Sequence, residues 1–462
     1  MTKVEKNEFL GTKKVGSLLL ELALPAITAQ LVNMLYNIVD RIYLGHIEDI
    51  GPMALTGVGL CFPVIILITA FSNLIGMGGS PQVSIKMGKQ EKDGAEKILG
   101  ACFTTLLILS AVLTAVFLIF GRQLLFLFGA SDNTIQYSLD YMNIYVCGTV
   151  FVMMALGLNP FISAQGFAKI SMMTTLIGAV VNIVLDPVLI FGFGMQVKGA
   201  ALATIISQGV SAVWVLHFLT GKKTILRIRK RDMLVKSKII LPVLALGLSP
   251  FIMTSTESLL NIAFNTSLQK YGGDLAVGAM TIMSSVMQII TLPTQGLSQG
   301  AQPIISYNYG AGKPDRVKKT FRLLFIWSVG YCVLFWAVNM TFPWLFPSIF
   351  ASSPELKEIS AWAARIYLGA GFILGVQFSC QQTFIALGEA KISLFLALLR
   401  KIILLIPLIY ILPNFFSDKV FAVFLAEPVA DMLAALTTFS LFIWRFGKLM
   451  KQIEKRHAAA SI

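Results

Sequence analysis

The sequence predicts an all-α polytopic membrane protein with twelve transmembrane helices in two parallel six-helix lobes, related by pseudo-twofold symmetry along the membrane normal. Three observations predict this fold class. Of the 462 residues, 56% are hydrophobic and 13% are charged, whereas soluble domains usually carry about 25% charged residues. Apolar stretches long enough to cross roughly 30 Å of hydrocarbon recur along the chain. Short motifs of the first half of the sequence also recur in the second half, in nearly the same register.

Each apolar stretch is predicted to be a helix, because a helix pairs all its backbone polar groups within one segment, as hydrocarbon requires. The predicted spans are residues 17–43, 53–79, 98–121, 135–166, 170–191, 199–220, 239–267, 274–300, 320–347, 357–387, 392–412 and 419–445. The residues before the first span are polar and carry no cleavable signal pattern, so we expect that span to remain in the mature protein.

The distribution of positive charge predicts the orientation. The net charge is +14, and with the N-terminus inside, most Lys and Arg residues lie in or beside cytoplasmic segments. Lys391, Arg400 and Lys401 are assigned to that side by the same reasoning. This positive-inside pattern predicts that both termini are cytoplasmic. Basic loops beside anionic lipid explain the charge without nucleic acid.

The internal repeat predicts the two lobes. The segment GFAKIS at 166–171 returns as GEAKIS at 388–393. In nearly the same register, Pro81 and Gly88 match Pro303 and Gly310, and Pro25 matches Pro250. Each copy holds six spans, so both enter the membrane in the same direction. The predicted lobes are residues 1–232 and 233–462, joined by a basic link. Such parallel halves are a transporter architecture, in which a substrate cavity between the halves opens alternately to each side.

Three spans of the first half place polar side chains in one layer. Asp186 lies sixteen residues into a span that starts inside, or roughly 24 Å deep. Asp40 and Thr204 reach a similar depth on two other spans. Tyr36 precedes Asp40, and Asn182 precedes Asp186, by four residues, so each pair shares one helix face.

Asp40 and Asp186 are candidate proton carriers. An aspartate at the centre of a span costs about 2.5–3.5 kcal/mol and usually faces a cavity or pathway. Burial favours the protonated form of a carboxyl group, and a second carboxylate nearby strengthens that preference. With the oxygens of Asn182, Tyr36 and Thr204, the group could instead hold Na⁺. The alternatives are a helix-break role for Asp186 with Pro187 and a helix end at Asp40.

The candidate substrate cavity draws polar side chains from both halves. Glu257 is an acid within a span, which favours contact with a substrate cation or a coupling role. Interhelical hydrogen bonding is the alternative for the amides. Glu427 and Asp431, four residues apart on the last span, are expected either to form a polar lining or to serve packing. The substrate-cavity candidates are Asn33, Asn37, Glu257, Asn261, Gln288 and Gln381.

Three segments carry a resemblance to a known family: ELALPAITAQLVNMLYNIVDRIYLG, NIVLDPVLI and GLSQGAQPIISYNYGAGK. Together with the two six-helix halves, they resemble the multidrug and toxic compound extrusion (MATE) family over essentially the whole chain, nearest its MepA-like bacterial branch. The resemblance implies drug efflux driven by inward flow of H⁺ or Na⁺. It marks Tyr36, Asp40, Asn182, Asp186 and Thr204 as the cation-binding group of the N-terminal lobe. Span 10 offers Gln377 and Gln381 where some relatives carry an acid, so the resemblance does not extend to a two-acid sodium site in the C-terminal lobe.

The sequence therefore predicts a secondary antiporter that exports amphipathic, mostly cationic compounds from a bacterial cytoplasm. The expected partners are small-molecule drugs, organic cations and the lipid bilayer, with no nucleic acid and a monomeric state. We expect no cofactor besides the coupling ion, and no enzyme, because the spans show neither a nucleophile group nor a metal group. The chain has no Walker motif to bind ATP. The alternative is a flippase for a lipid-linked saccharide, which should place cations in the cavity, whereas the deep ionisable residues here are mostly acids.

Overall fold

The structure is a computed structural model that describes residues 5–47, 51–132, 134–350 and 353–460. Within these ranges every regular element is helical, which confirms the predicted all-α class. A short helix, Glu5–Thr12, precedes the first span. The six spans of the first half are α1 Val15–Gly45, α2 Met53–Gly88, α3 Lys92–Leu127, α4 Ile135–Cys147 with Thr149–Ala164, α5 Ala168–Gly192 and α6 Gln196–Thr220.

The second half repeats this arrangement. One helical stretch, Ser237–Gly310, breaks at Gly273, whose φ of 65° favours glycine, so it forms two spans. The six spans are α7 237–272, α8 274–310, α9 Pro314–Thr341, α10 Pro354–Tyr367 with Gly371–Ala386, α11 Ala390–Asn414 and α12 Lys419–Ala460. All twelve predicted spans are recovered. Helices α2 and α8 continue past their predicted ends, because a helix does not stop where the hydrocarbon does.

Matching details in the two halves confirm the pseudo-symmetry. Helix α4 bends by 57° and its counterpart α10 by 51°. Ser84 donates a hydrogen bond to the carbonyl oxygen of Ala164 at 3.0 Å, and Ser306 donates to that of Ala386 at 2.7 Å. Both α5 and α11 contain a widened π-helical turn. The repeat in the sequence is therefore a repeat in packing and hydrogen bonding.

The halves meet closely at one end of the bundle, which we call the linker end because residues 221–236, which connect the lobes, lie there. Helices α2 and α7 touch without side chains between them, since a Cβ on Gly247 would overlap the carbonyl oxygen of Leu74. A Cβ on Gly88 would likewise overlap the carbonyl oxygen of Tyr307 on α8. Gln302 donates to the hydroxyl of Ser80 at 3.0 Å across the same interface. These contacts close the space between the lobes at the linker end.

Side chains of the second half bind the end of the short N-terminal helix through hydrogen bonds. Its last carbonyl groups carry the negative end of the helix dipole. Asn308 donates to the carbonyl oxygen of Leu10 at 2.9 Å, and Lys313 donates to that of Gly11 at 3.0 Å. Arg316 donates to the carbonyl oxygens of Leu10 and Lys13 at 3.1 and 2.7 Å. These hydrogen bonds add polar contacts between the two halves at the closed linker end.

The link between the lobes packs on the first half. The side-chain oxygen of Gln165 accepts hydrogen bonds from the Thr224 hydroxyl and from the backbone N–H groups of Ile225 and Leu226, at 2.8–2.9 Å. Thr104 donates to the carbonyl oxygen of Met233 at 2.8 Å. Only residues 234–236 then separate this anchored segment from α7. The lobe boundary after residue 232 stays a prediction. We expect residues 234–236 to be the segment that allows the two lobes to move relative to each other.

The orientation can be tested by labelling single cysteines. In a variant without the five native cysteines, a cysteine at exposed Ser131 should react with a membrane-impermeant maleimide added to intact cells. A cysteine at exposed Lys230, in the link, should react only after permeabilisation. Basic segments are retained on the cytoplasmic side during insertion, which is the reason for the expectation. The opposite labelling pattern would show that the linker end faces outward.

Candidate functional site

The polar residues predicted on α1, α5 and α6 come together in the first half. The carboxyl groups of Asp40 and Asp186 lie close together, with Tyr36 beside them. The side-chain amide of Asn182 donates to Asp186 at 3.4 Å. Asp186 is fully buried, and the exposed fractions of Asn182 and Thr204 are 1% and 6%. We call Tyr36, Asp40, Asn182, Asp186 and Thr204 the N-lobe cluster.

Three oxygens of the N-lobe cluster lack a partner in the part of the chain that the structure describes. They are Oδ1 of Asp40, Oδ1 of Asn182 and Oδ2 of Asp186, all buried. Ionised carboxylates only accept hydrogen bonds, so two of them in contact need a shared proton or a cation. The oxygens of Asn182 and Thr204 can contribute to a site for Na⁺, a hard cation that oxygen ligands suit. The chemistry of these donors therefore fits either coupling ion.

Two tyrosines of α4 complete the cluster, and the sequence analysis missed both. Tyr141 lies close to Thr204 and to Asp40. Tyr145 stacks against Tyr141 with ring centroids 5.9 Å apart, and both side chains are buried. The signal was their spacing of four residues, which places two polar-tipped aromatic side chains on one helix face.

The structure contradicts a helix end at Asp40, whereas an irregular turn does follow Asp186 and Pro187. Helix α1 continues beyond Asp40 and Arg41 to Gly45, so the pair does not mark the helix end. A π-helical turn, Val188–Gly192, does follow Pro187. However, Asp186 is paired with the side chain of Asn182 through one oxygen, and its other oxygen is unpartnered within the described residues.

A small cavity of about 170 Å³ adjoins the N-lobe cluster between α1 and α2. Asp40 and Arg41 line it together with Leu44, Leu55, Val58 and Phe62. The Arg41 guanidinium lies over the Phe62 ring at 4.9 Å, a cation–π arrangement that draws this charge toward the wall. The cavity lies toward the end of the bundle opposite the linker end, and it gives Asp40 space for water.

Most of the predicted cavity residues are exposed in the halves of α1, α7 and α8 away from the linker end. Asn33, Asn37, Asn261 and Gln288 are exposed, and the Glu257 side chain is 54% exposed. Closer to the linker end, Asn73 donates to the Thr254 hydroxyl at 3.2 Å and joins the lobes. The exposed set is consistent with an inter-lobe cavity open at the end opposite the linker.

Gln381 differs from the other predicted cavity residues. It is 4% exposed, accepts a hydrogen bond from Gln377 at 3.1 Å, and donates to the sulfur of Met253 at 3.3 Å. Gln377 in turn accepts from Thr438 at 2.8 Å. In this structure Gln381 therefore lies inside the second half and does not line the cavity, as expected for an interhelical hydrogen bond.

Two basic residues are not where the charge pattern predicted them. Arg400 and Lys401 lie within α11 and are 8% and 7% exposed, so their assignment beside a cytoplasmic segment is wrong. Lys401 pairs with Glu257. Arg400 pairs with Asp431 at 2.7 Å and with Glu427 at 3.4 Å. These carboxylates offset the cost of burying the two cations. The deep ionisable residues are still mostly acids, but they include these two ion-paired cations.

With the fold and these sites described, the chain can be compared with known proteins. A model of the MatE family matches residues 25–188 and 250–411, one match in each half and together well over half of the chain. The chain belongs to the MatE family. The two matches begin at Pro25 and Pro250, the prolines that the internal repeat aligns. The predicted resemblance is thereby confirmed.

Relatives of this MatE protein match over nearly the whole length. Multidrug export protein MepA of Staphylococcus haemolyticus (strain JCSC1435) is 24% identical over 445 residues, which are 95% of this chain and 96% of the relative. A crystal structure of MATE in the bent conformation aligns with a TM-score of 0.90 at 23% identity, covering 97% and 99% of the two chains. At this identity the structural likeness establishes the fold alone, which has twelve helices in two lobes.

A further structural neighbour has a similar fold. A transporter of the MOP superfamily from Pyrococcus furiosus aligns with a TM-score of 0.90 at 22% identity, covering 97% and 99% of the two chains. Its binding pocket is described as having reverse polarity, which suggests a different function for that protein. The substrate of this MatE protein must therefore be argued from its own side chains.

Proposed function

We propose that this protein is a secondary antiporter of the bacterial plasma membrane that exports amphipathic, mostly cationic compounds in exchange for H⁺ or Na⁺. The observation that carries the proposal is the proximity of Asp40 to Asp186, together with the three buried oxygens of the N-lobe cluster that have no partner among the described residues. Acids within membrane spans are costly and usually mark an ion or substrate pathway, and here two of them are neighbours. Reversible binding of a proton or a cation is the function that such a pair of acids can serve.

The cycle follows from what the two carboxyl groups accept. When the lobes are closed at the linker end, as here, the cavity beside Asp40 admits a proton or Na⁺ from the opposite side. The ion that is taken up supplies the proton or cation that the Asp40 and Asp186 carboxylates need. It also neutralises the N-lobe cluster, which favours substrate release. After the lobes rock, the ion leaves toward the cytoplasm and the charged cluster readies the cavity for the next substrate.

The driving force is sufficient for export. One proton that enters down about 100 mV releases roughly 2.3 kcal/mol, and each 1.4 kcal/mol is a factor of about ten. A single proton could thus sustain roughly a fiftyfold gradient of a neutral compound. For a monovalent cation exchanged one for one, the voltage contribution cancels and only the pH gradient acts.

Two observations support drugs and organic cations as the substrates. The relatives of similar length are named multidrug export proteins. The exposed acid among the cavity candidates is Glu257, and the other candidates carry neutral side-chain amides. A flippase for pyrophosphate-linked lipids would need cations free to meet phosphate, whereas Arg400 and Lys401 are both ion-paired. Export by a monomer is the simplest assembly, since each chain holds both lobes.

Vesicle transport tests the proposal directly. Purified protein is reconstituted into vesicles loaded with ethidium, and efflux is followed under a pH gradient alone and under a sodium gradient alone. We expect one gradient to drive export against the ethidium concentration difference, and that gradient identifies the coupling ion. Ethidium flux that is the same with either gradient as with none would contradict antiport.

A further inference from the structure

Five charged side chains form a connected network in the second half, which we call the C-lobe network. It consists of Glu257 on α7, Arg400 and Lys401 on α11, and Glu427 and Asp431 on α12. Its two basic members are successive residues of the π-helical turn Leu399–Leu405. The wider turn allows both to face the interior, and such turns are frequent at functional sites. Tyr367 of α10 is buried beside the acids.

Burial divides the C-lobe network into two parts. Arg400, Lys401, Glu427 and Asp431 are each at most 8% exposed. They carry two positive and two negative charges, so the buried part is balanced by itself. Glu257 is the surplus acid, and its side chain is 54% exposed among the predicted cavity residues. The acid that can meet a substrate is therefore already in contact with an internal cation.

Arg400 binds the two buried acids, Glu427 and Asp431, at unequal distances. Arg400 lies 2.7 Å from Asp431 but 3.4 Å from Glu427, so Glu427 keeps more capacity for a second cation. Lys401 directly follows Arg400, which contacts Glu427, and both basic side chains are buried in the same interior. A lysine is a point charge on a flexible four-carbon stem, which suits it to exchange one carboxylate for another.

We infer that Lys401 is a tethered counter-ion that competes with the substrate cation for Glu257, and that Glu427 receives Lys401 when the substrate binds. The inference rests on the proposed cation export and identifies positioning residues for the Glu257 subsite. Without substrate, Lys401 neutralises Glu257. With a substrate cation on Glu257, Lys401 turns toward Glu427 and the buried part is again balanced. Without Glu427, the displaced ammonium group would lack a partner, which is costly inside the membrane.

The inference predicts opposite effects for the two buried partners. In detergent-purified full-length protein, Lys401→Met should tighten binding of tetraphenylphosphonium by about tenfold, because the competitor is removed. Glu427→Gln should weaken it by a similar factor, because Lys401 then stays on Glu257. In the double variant the loss caused by Glu427→Gln should disappear, since no lysine remains to be displaced. A merely structural role for Glu427 would lower binding equally in both backgrounds.

Controls separate this inference from the proposed function. Lys357→Met removes an exposed lysine elsewhere in the second half and should leave binding unchanged. Glu427→Asp keeps the charge and should bind like the parent, which also covers the case that Glu427→Gln does not fold. Binding that fails to tighten in Lys401→Met, or an equal Glu427→Gln loss in both backgrounds, overturns the inference. Unchanged binding in Glu257→Gln would instead overturn the cation subsite itself, whereas failed antiport in vesicles would overturn the proposed function.

Discussion

Replacing Asp186 by asparagine is expected to abolish gradient-driven export, although the protein should still fold and reach the membrane. Asparagine matches the shape and neutral charge of the protonated carboxyl group, so the N-lobe cluster stays in its loaded form. Substrate binding should remain within a few-fold of the parent. The accumulation ratio that one proton can sustain, roughly fiftyfold for a neutral compound, should collapse to about one. Efflux from vesicles under the driving gradient, with abundance measured in the membrane fraction, checks this result.

A matched exchange elsewhere separates coupling from a general effect of lost charge. Asp315 is exposed in the first turn of α9, and Asp315→Asn should pump at the parental rate. Asp40→Asn should reproduce the defect of Asp186→Asn, because both carboxyl groups share one bound ion. Near-normal pumping by Asp186→Asn under a pH gradient would mean that this acid is not the coupling site.

Replacing Gly247 by alanine is expected to shift the protein away from the conformation described here. The added Cβ would overlap the carbonyl oxygen of Leu74, so α2 and α7 can no longer meet at the linker end. Overpacking of this kind typically costs about 1–3 kcal/mol, which changes a two-state population by roughly 5- to 150-fold. A cysteine at Ser80, buried in the same interface, should react faster with maleimide, and the export rate should fall.

Gly330 supplies the control for this prediction. It lies in the membrane-spanning helix α9, and a Cβ there would meet no atom within 4 Å. Gly330→Ala should therefore change neither the Ser80→Cys reactivity nor export, although the helix propensity changes by the same amount in both variants. Equal reactivity of Ser80→Cys in the Gly247→Ala protein and its parent would show that this contact does not hold the lobes together.

The sequence by itself determined the twelve spans and their grouping into halves. Hydrophobicity is sufficient for the spans, because each one must satisfy its own backbone hydrogen bonds in hydrocarbon. The sequence also located the N-lobe cluster. The depth of each side chain in the membrane follows from the helical rise, and the helix face that it shares follows from the four-residue spacing. Asp40 and Asp186 could therefore be placed in one layer before any contact between α1 and α5 was known.

Only the tertiary structure decided which helix faces meet. Sequence sets the depth of a side chain along its helix, but the rotation of that helix toward its neighbours depends on packing by the rest of the chain. Tyr141 was missed for this reason, because nothing local to α4 shows that it faces Thr204 of α6.

Arg400 and Lys401 were misplaced because a basic residue near a span boundary is ordinarily taken as a cytoplasmic signal. That rule is overridden here because Glu427 and Asp431 of α12 and Glu257 of α7 pack against α11. Burying a cation in the membrane becomes tolerable only when its counter-ions are brought to it. Those counter-ions come from helices that are distant in sequence, so their contact with α11 is a property of the fold.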